Sequence, residues 1–126
     1  DVPQALPALS RAQKLQKRAS GAGFDWPDAA PVVDKIAEEL DEVRAALSQG
    51  DAAAVAEEMG DLLFCVVNLA RHLGVDAEHA LREGNNKFER RFRFIEQQLR
   101  DRSSSVEQSD LAELDRLWDQ AKQQGL

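Results

Sequence analysis

All four prolines of this 126-residue chain, Pro3, Pro7, Pro27 and Pro31, fall in its first quarter. Beyond Pro31 no residue lacks a backbone donor or blocks a helical turn. Val, Ile and Thr are sparse, and no period-two alternation of apolar and polar residues argues for a strand. The chain therefore reads as all-α. The spacing predicts five helices, over residues 8–20, 28–48, 51–73, 76–101 and 105–123. Asp28, Asp51 and Asp76 are suited to cap helix starts, and Gly50 and Gly74 to follow helix ends. Ser105 and Gln108 have capping-box spacing before the fifth helix. Short connections between long helices favour antiparallel neighbours. The expected architecture is one antiparallel helical bundle over residues 1–126.

At about 100° per residue, Val32, Ile36, Leu40, Val43 and Leu47 make one stripe on the second helix. Leu81, Phe88, Phe92, Ile95 and Leu99 make another on the fourth, and that stripe also holds Asn85. A buried amide needs partners; a backbone carbonyl or a substrate hydroxyl would serve. The third helix carries Val55, Met59, Leu62, Leu63, Val66, Ala70 and Leu73, while Phe64, Val67 and Leu69 spread apolar surface nearly all round it. Such a helix is buried on most sides. It is either central or packed against a second subunit, which predicts a homodimer or homotetramer.

One strip interrupts that helix: Glu58, Asp61, Cys65 and Asn68, at spacings of three, four and three. Carboxylates on an otherwise apolar helix are costly to bury uncompensated. Counted outward from the turn at Gln49-Gly50, Glu42 lies about as deep as Glu58, and Glu39 about as deep as Asp61. With antiparallel packing, four carboxylates converge at one level. Across Gly74-Val75 the same counting puts Lys87 level with Asp61 and Arg91 level with Glu58. Carboxylate oxygens without His or Cys at ligand spacing select a hard ion, Mg²⁺ or Mn²⁺. A di-iron bundle is excluded because neither His72 nor His79 follows a Glu at the required spacing; both histidines read as surface. Cys65 reads as a small packing residue, Trp26 as a packing anchor, and Trp118 as either core or a stacking surface.

The formal charge of −7 argues against nucleic acid or anionic membrane as the main partner. A single cysteine fits a reducing compartment, and the longest apolar run, residues 62–67, is far short of the roughly 20 needed to span a bilayer. No targeting segment is visible, so a cytoplasmic location is expected. The chain begins at Asp1 rather than Met, which suggests a piece of a longer protein.

Three segments taken in order carry a resemblance: Lys35-Ile-Ala-Glu-Glu-Leu-Asp-Glu42, Glu57-Glu-Met-Gly-Asp-Leu-Leu-Phe64 and Asn85-Asn-Lys-Phe-Glu-Arg-Arg91. Together they resemble the MazG family of all-α nucleoside triphosphate pyrophosphohydrolases. The family pattern EExxE followed by ExxD appears as Glu38, Glu39 and Glu42, then Glu58 and Asp61. The similarity spans residues 9–99 and is nearest to the C-terminal catalytic domain of two-domain MazG proteins. It implies a dimeric or higher helical bundle that hydrolyses nucleoside triphosphates to monophosphate and pyrophosphate with Mg²⁺. By motif position, Glu39, Glu42, Glu58 and Asp61 carry over as metal ligands, and Lys35, Lys87 and Arg91 as phosphate contacts. Trp118 carries over as a base contact. Glu38 is placed to orient or deprotonate the attacking water. Two other readings compete: a non-catalytic dimerisation or regulatory module, and a narrower dUTP, dCTP or phosphoribosyl-ATP pyrophosphohydrolase.

Overall fold

The structure, a computed structural model, describes residues 2–126. Five α-helices account for its regular structure, and no strand occurs among the described residues: α1 (Ala8–Gly21), α2 (Ala29–Gln49), α3 (Ala52–His72), α4 (Ala77–Asp101) and α5 (Leu111–Gln123). Asp28 accepts from the Ala30 amide at 3.1 Å, Asp51 from Ala54 at 3.1 Å and Asp76 from His79 at 3.0 Å. These are the capping bonds their positions predicted. Gly50 takes the left-handed conformation (φ 68°) that closes α2, and α3 begins two residues later.

The fifth helix differs from expectation. It begins after Asp110, whose carboxylate accepts from the Glu113 amide at 2.9 Å. Asp110 and Glu113 have the same cap spacing as Ser105 and Gln108, and the carboxylate wins because it also suits the positive end of the helix dipole. Residues 105–109 form turns instead, in which the Ser109 hydroxyl donates to the Ser105 carbonyl at 2.8 Å.

The chain divides into two compact units, one extending to Ala80 and the other Leu81–Leu126. In the first, α2 and α1 both pack on α3. Gln13 ties α1 to the turn before α4: its amide nitrogen donates to the Val75 carbonyl and its amide oxygen accepts from the Ala77 amide, both at 2.9 Å. The buried face of α2 is Val32, Glu39, Val43 and Ala46. This corrects the predicted stripe, since Leu40 and Leu47 are exposed and a glutamate lies among the buried residues. The smaller Val43 and Ala46 permit close approach to α3, which turns the two leucines outward. On α3 only Val67 is fully buried, and Met59, Leu63, Phe64 and Val66 remain exposed, as does Leu73 just beyond its end.

In the second unit, Ile95 and Leu99 of α4 and Leu117 of α5 form the core, with Val106, Leu114 and Trp118 packed on it. The apolar stripe of α4 is thus buried only at its C-terminal end. Leu81, Phe88 and Asn85 are exposed, so Asn85 is not the buried amide its place in the stripe suggested. No helix among the described residues is long and apolar enough to cross a membrane.

Candidate functional site

The turn at Gly50 and the packing of α2 on α3 bring three acids together. One carboxylate oxygen each from Glu39, Glu58 and Asp61 lies within 4.8 Å of the others. Glu39 is buried, Glu58 half-buried and Asp61 exposed. The predicted fourth acid, Glu42, is exposed and outside this tight group, yet its charge still acts on Glu58. Partial desolvation, followed by the charges of Asp61, Glu42 and Glu39, holds the Glu58 carboxyl above its ordinary range. Burial is thus the leading cause, and the neighbouring carboxylates add to it.

Lys35 is the cation within this group. Its Nζ lies 3.1 Å from Glu39 and 3.6 Å from Glu38, and the hydrogen bond to Glu39 is the main cause of its raised pKa. Glu39 is 9% exposed, and this lysine pairing accounts for its tolerated burial. Glu38, one residue earlier on α2, points to solvent.

Beside Lys35 lies a cavity of about 390 Å³. Its walls are Leu15, Gln16 and Ala19 of α1, the aromatics Phe24 and Trp26 of the α1–α2 loop, and Phe64, Cys65 and Asn68 of α3. Trp26 is 45% exposed and forms part of this wall, which corrects its reading as a packing anchor. A loop between Gly23 and Pro27 has few residues with which to bury an indole. Burial pushes the Cys65 thiol upward, helped by the negative Glu39, and so argues against a reactive thiolate.

A latch holds that loop. Asp25 accepts from Arg71 Nη2 at 2.6 Å and from the Ser20 hydroxyl at 2.8 Å, and lies 2.9 Å from His72 Nε2. Arg71 is the chief cause holding the Asp25 carboxyl far below the usual carboxylate range. His72, expected at the surface, has a side chain only 9% exposed. The latch was invisible in the sequence because Asp25 lies 46 residues from Arg71 and no local motif marks the pairing.

The remaining site residues belong to the second unit. Asn85 and Lys87 are exposed on α4. Arg91 donates from Nε to the Leu126 carbonyl at 2.9 Å, and its guanidinium lies 4.9 Å from the centroid of the Trp118 ring. Trp118 also packs at 5.6 Å from Phe88, which in turn stacks on Phe92 at 5.9 Å.

A family model, that of the MazG nucleotide pyrophosphohydrolase domain, matches residues 30–94, more than half of the chain. The chain belongs to the MazG family. The matched stretch holds the carboxylates together with Lys35, Asn85, Lys87 and Arg91; Trp118 and the α1 wall of the cavity lie outside it. Among curated relatives, the nucleoside triphosphate pyrophosphohydrolase of Escherichia coli (strain K12) is 52% identical, covering 98% of this chain and 48% of its own length. The nucleoside triphosphate pyrophosphohydrolase/pyrophosphatase MazG of Thermotoga maritima is 42% identical, with 97% and 47% covered. The uncharacterized protein YabN of Bacillus subtilis (strain 168) is 40% identical, covering 97% of this chain and 25% of that protein. The chain spans about half the length, or less, of the curated relatives it matches.

Proposed function

We propose that this chain hydrolyses nucleoside triphosphates to the monophosphate and pyrophosphate, acting with Mg²⁺, for which Mn²⁺ can substitute. The observation that carries the reading is the convergence of Glu39, Glu58 and Asp61 from two helices, with their oxygens within 4.8 Å of one another. An all-carboxylate donor set fits a hard divalent cation, and the charges of Asp61, Glu42 and Glu39 that act on the half-buried Glu58 are ones such an ion would offset. Glu39, Glu58 and Asp61 would hold it, with Glu42 completing the set through its exposed carboxylate. A bound divalent ion supplies Lewis acidity and a water acidified toward neutral pH.

The chain's own groups do the rest. Lys35 neutralises Glu39, and with a cation held by the carboxylates its ammonium would be placed to meet a phosphate. Glu38, solvated and one residue from a ligand, orients the attacking water and accepts its proton. Lys87 and Arg91 offset charge developing on the pyrophosphate leaving group. Asn85 and Trp118 contact the nucleoside. We read residues 1–126 as one catalytic antiparallel bundle that acts in the cytoplasm as a homodimer or homotetramer, with neither nucleic acid nor membrane as partner. The exposed apolar side chains of α3 support the assembly.

The test is a panel of ribo- and deoxyribonucleoside triphosphates incubated with Mg²⁺, with products separated by chromatography. Monophosphate and pyrophosphate should form in equal amounts, and excess EDTA should stop the reaction. Absence of both products from every member of the panel overturns the reading.

A further inference from the structure

We propose that residues 24–28 form a strap along the cavity beside Lys35, hinged at Phe24 and latched to α3 by Asp25, and that breaking the contact of Asp25 with Arg71 and His72 opens the cavity. The strap is a property of the fold and stands whether or not the chain hydrolyses nucleotides.

Packing does little to hold this loop. Its two aromatic side chains line the cavity, yet Phe24 is 84% exposed and Trp26 45%. The backbone is tied to α1 only as far as Phe24. Ala22 and Phe24 donate to the Ala19 carbonyl at 3.1 and 3.0 Å, and Gly23 donates to that of Ser20 at 2.9 Å. Past that point the Trp26 amide turns to its own neighbour, Asp25, at 2.8 Å, and Pro27 has no N–H to give. Among the described residues, every hydrogen bond from the loop to α3 passes through Asp25. The hinge falls where the ties to α1 stop, since one or a few loop positions suffice to absorb the backbone change.

The latch, by contrast, is strong for its size. Asp25 Oδ1 accepts from Arg71 Nη2 at 2.6 Å and lies 2.9 Å from His72 Nε2, while Oδ2 accepts from the Ser20 hydroxyl at 2.8 Å. An ionised carboxylate can only accept, so the His72 ring carries a hydrogen on Nε2. Hydrogen bonds between ionised groups are about twice as strong as neutral ones, and the Arg71 and Asp25 side chains are only 16% and 20% exposed. The α3 side of the contact is braced, because Arg71 Nε also donates to Asn68 Oδ1 at 3.0 Å. A fixed guanidinium thus faces a loop with little packing of its own, and one contact decides where that loop lies. Segments with few buried apolar contacts are the ones that open locally. With the latch undone, Trp26 leaves the wall, and Cys65, which lines the same cavity from α3, becomes accessible.

Cys65 is the one cysteine of the chain and reports the opening. The intact protein is labelled with iodoacetamide, which is small, and with fluorescein maleimide, which is bulky, and the rates are followed by mass spectrometry at one fixed pH. Both reagents attack the same thiolate, so the ratio of bulky to small labelling reports access and cancels any change in the thiol's acidity. Asp25→Asn should raise that ratio roughly tenfold, as expected for loss of charge-assisted hydrogen bonds. Ser20→Ala removes a single bond to the other carboxylate oxygen and should raise it about threefold, which keeps the test decisive should Asp25→Asn fail to fold. Val67→Ala, a truncation of the buried residue of α3, loosens the fold without touching the latch and should leave the ratio near its wild-type value. In the ¹H–¹⁵N heteronuclear NOE the Trp26 indole should lose order in the two latch variants while the Trp118 indole does not. Neither measurement needs turnover. The proposal is overturned if the ratio is unchanged in the folded latch variants, if Val67→Ala raises it as much as they do, or if the Trp26 indole keeps its wild-type order.

Discussion

The two ends of the polar strip on α3 differ in what they lack. At Glu58 and Asp61 negative charge crowds together with one lysine to offset it. At Cys65 and Asn68 the surroundings are apolar, and the deficiency is a single hydrogen-bond donor for Gln16. The first end suits a cation, whereas the second offers chiefly apolar surface. The contrast lies along one helix: ten residues of rise, about 15 Å, separate a crowded acidic end from an apolar one.

The largest effect should come from the charged end. Asp61→Asn or Glu42→Gln should lower turnover by about a hundredfold or more whatever the base, because a lost ligand weakens the whole cation site. Initial rates with two different bases check this, and full turnover in excess EDTA would falsify the cation role. A change at the apolar end, such as Trp26→Ala, should instead raise KM by roughly five- to tenfold, by an amount that varies with the base. Equal effects of both substitutions on every substrate would erase the distinction between the ends.

How much of this was readable in the sequence follows the range of the interactions. Caps act within four residues, so Asp28, Asp51 and Asp76 announced the helix starts. The acids of α2 and α3 could be matched because a two-residue turn leaves little freedom of register. The rotation of α2 was misread, since Leu40 and Leu47 dominate its apolar pattern while burial of Glu39 depends on Lys35 four residues before it. The cavity was beyond reach, being assembled from α1, a loop, α2 and α3 with no local signature. The Asp25 latch joins residues 46 positions apart and leaves no local signature either.

A third test turns to the opposite side of α3, where Leu63 and Val66 are exposed and apolar. Leu63→Glu should shift the assembly toward monomer in light scattering at tens of micromolar, as expected for a charge placed in an apolar interface. A wild-type protein that is already monomeric would count against the face being an interface.

Trp118 separates packing from recognition. Its ring rests on the Ile95, Leu99 and Leu117 core, so Trp118→Ala should cost about 3 kcal/mol of stability. A nucleoside contact would raise KM as well, and both are measured on one preparation. Lower melting temperature with unchanged KM would confine this residue to the core.

The smallest effect is a slope with pH. The raised Glu58 carboxyl binds its proton more readily in the folded chain than in the unfolded one. In metal-free protein its contribution should therefore favour folding as pH falls from neutral toward the ordinary glutamate value. Asp25 works in the opposite sense. Its lowered carboxyl stabilises the fold above the ordinary aspartate value, and that contribution fades as pH falls through the lowered one. Melting curves of Glu58→Gln and Asp25→Asn against pH should lose these two slopes separately.

The Lys35–Glu39 pair also bears on how the protein comes into being. Small zinc domains remain unfolded until their metal arrives. Here a built-in ammonium occupies the most deeply buried carboxylate beforehand, so the helices can assemble without waiting for an ion. Loading of the proposed cation would then be an exchange of one positive charge for another within a finished fold, reversible by chelation without unfolding.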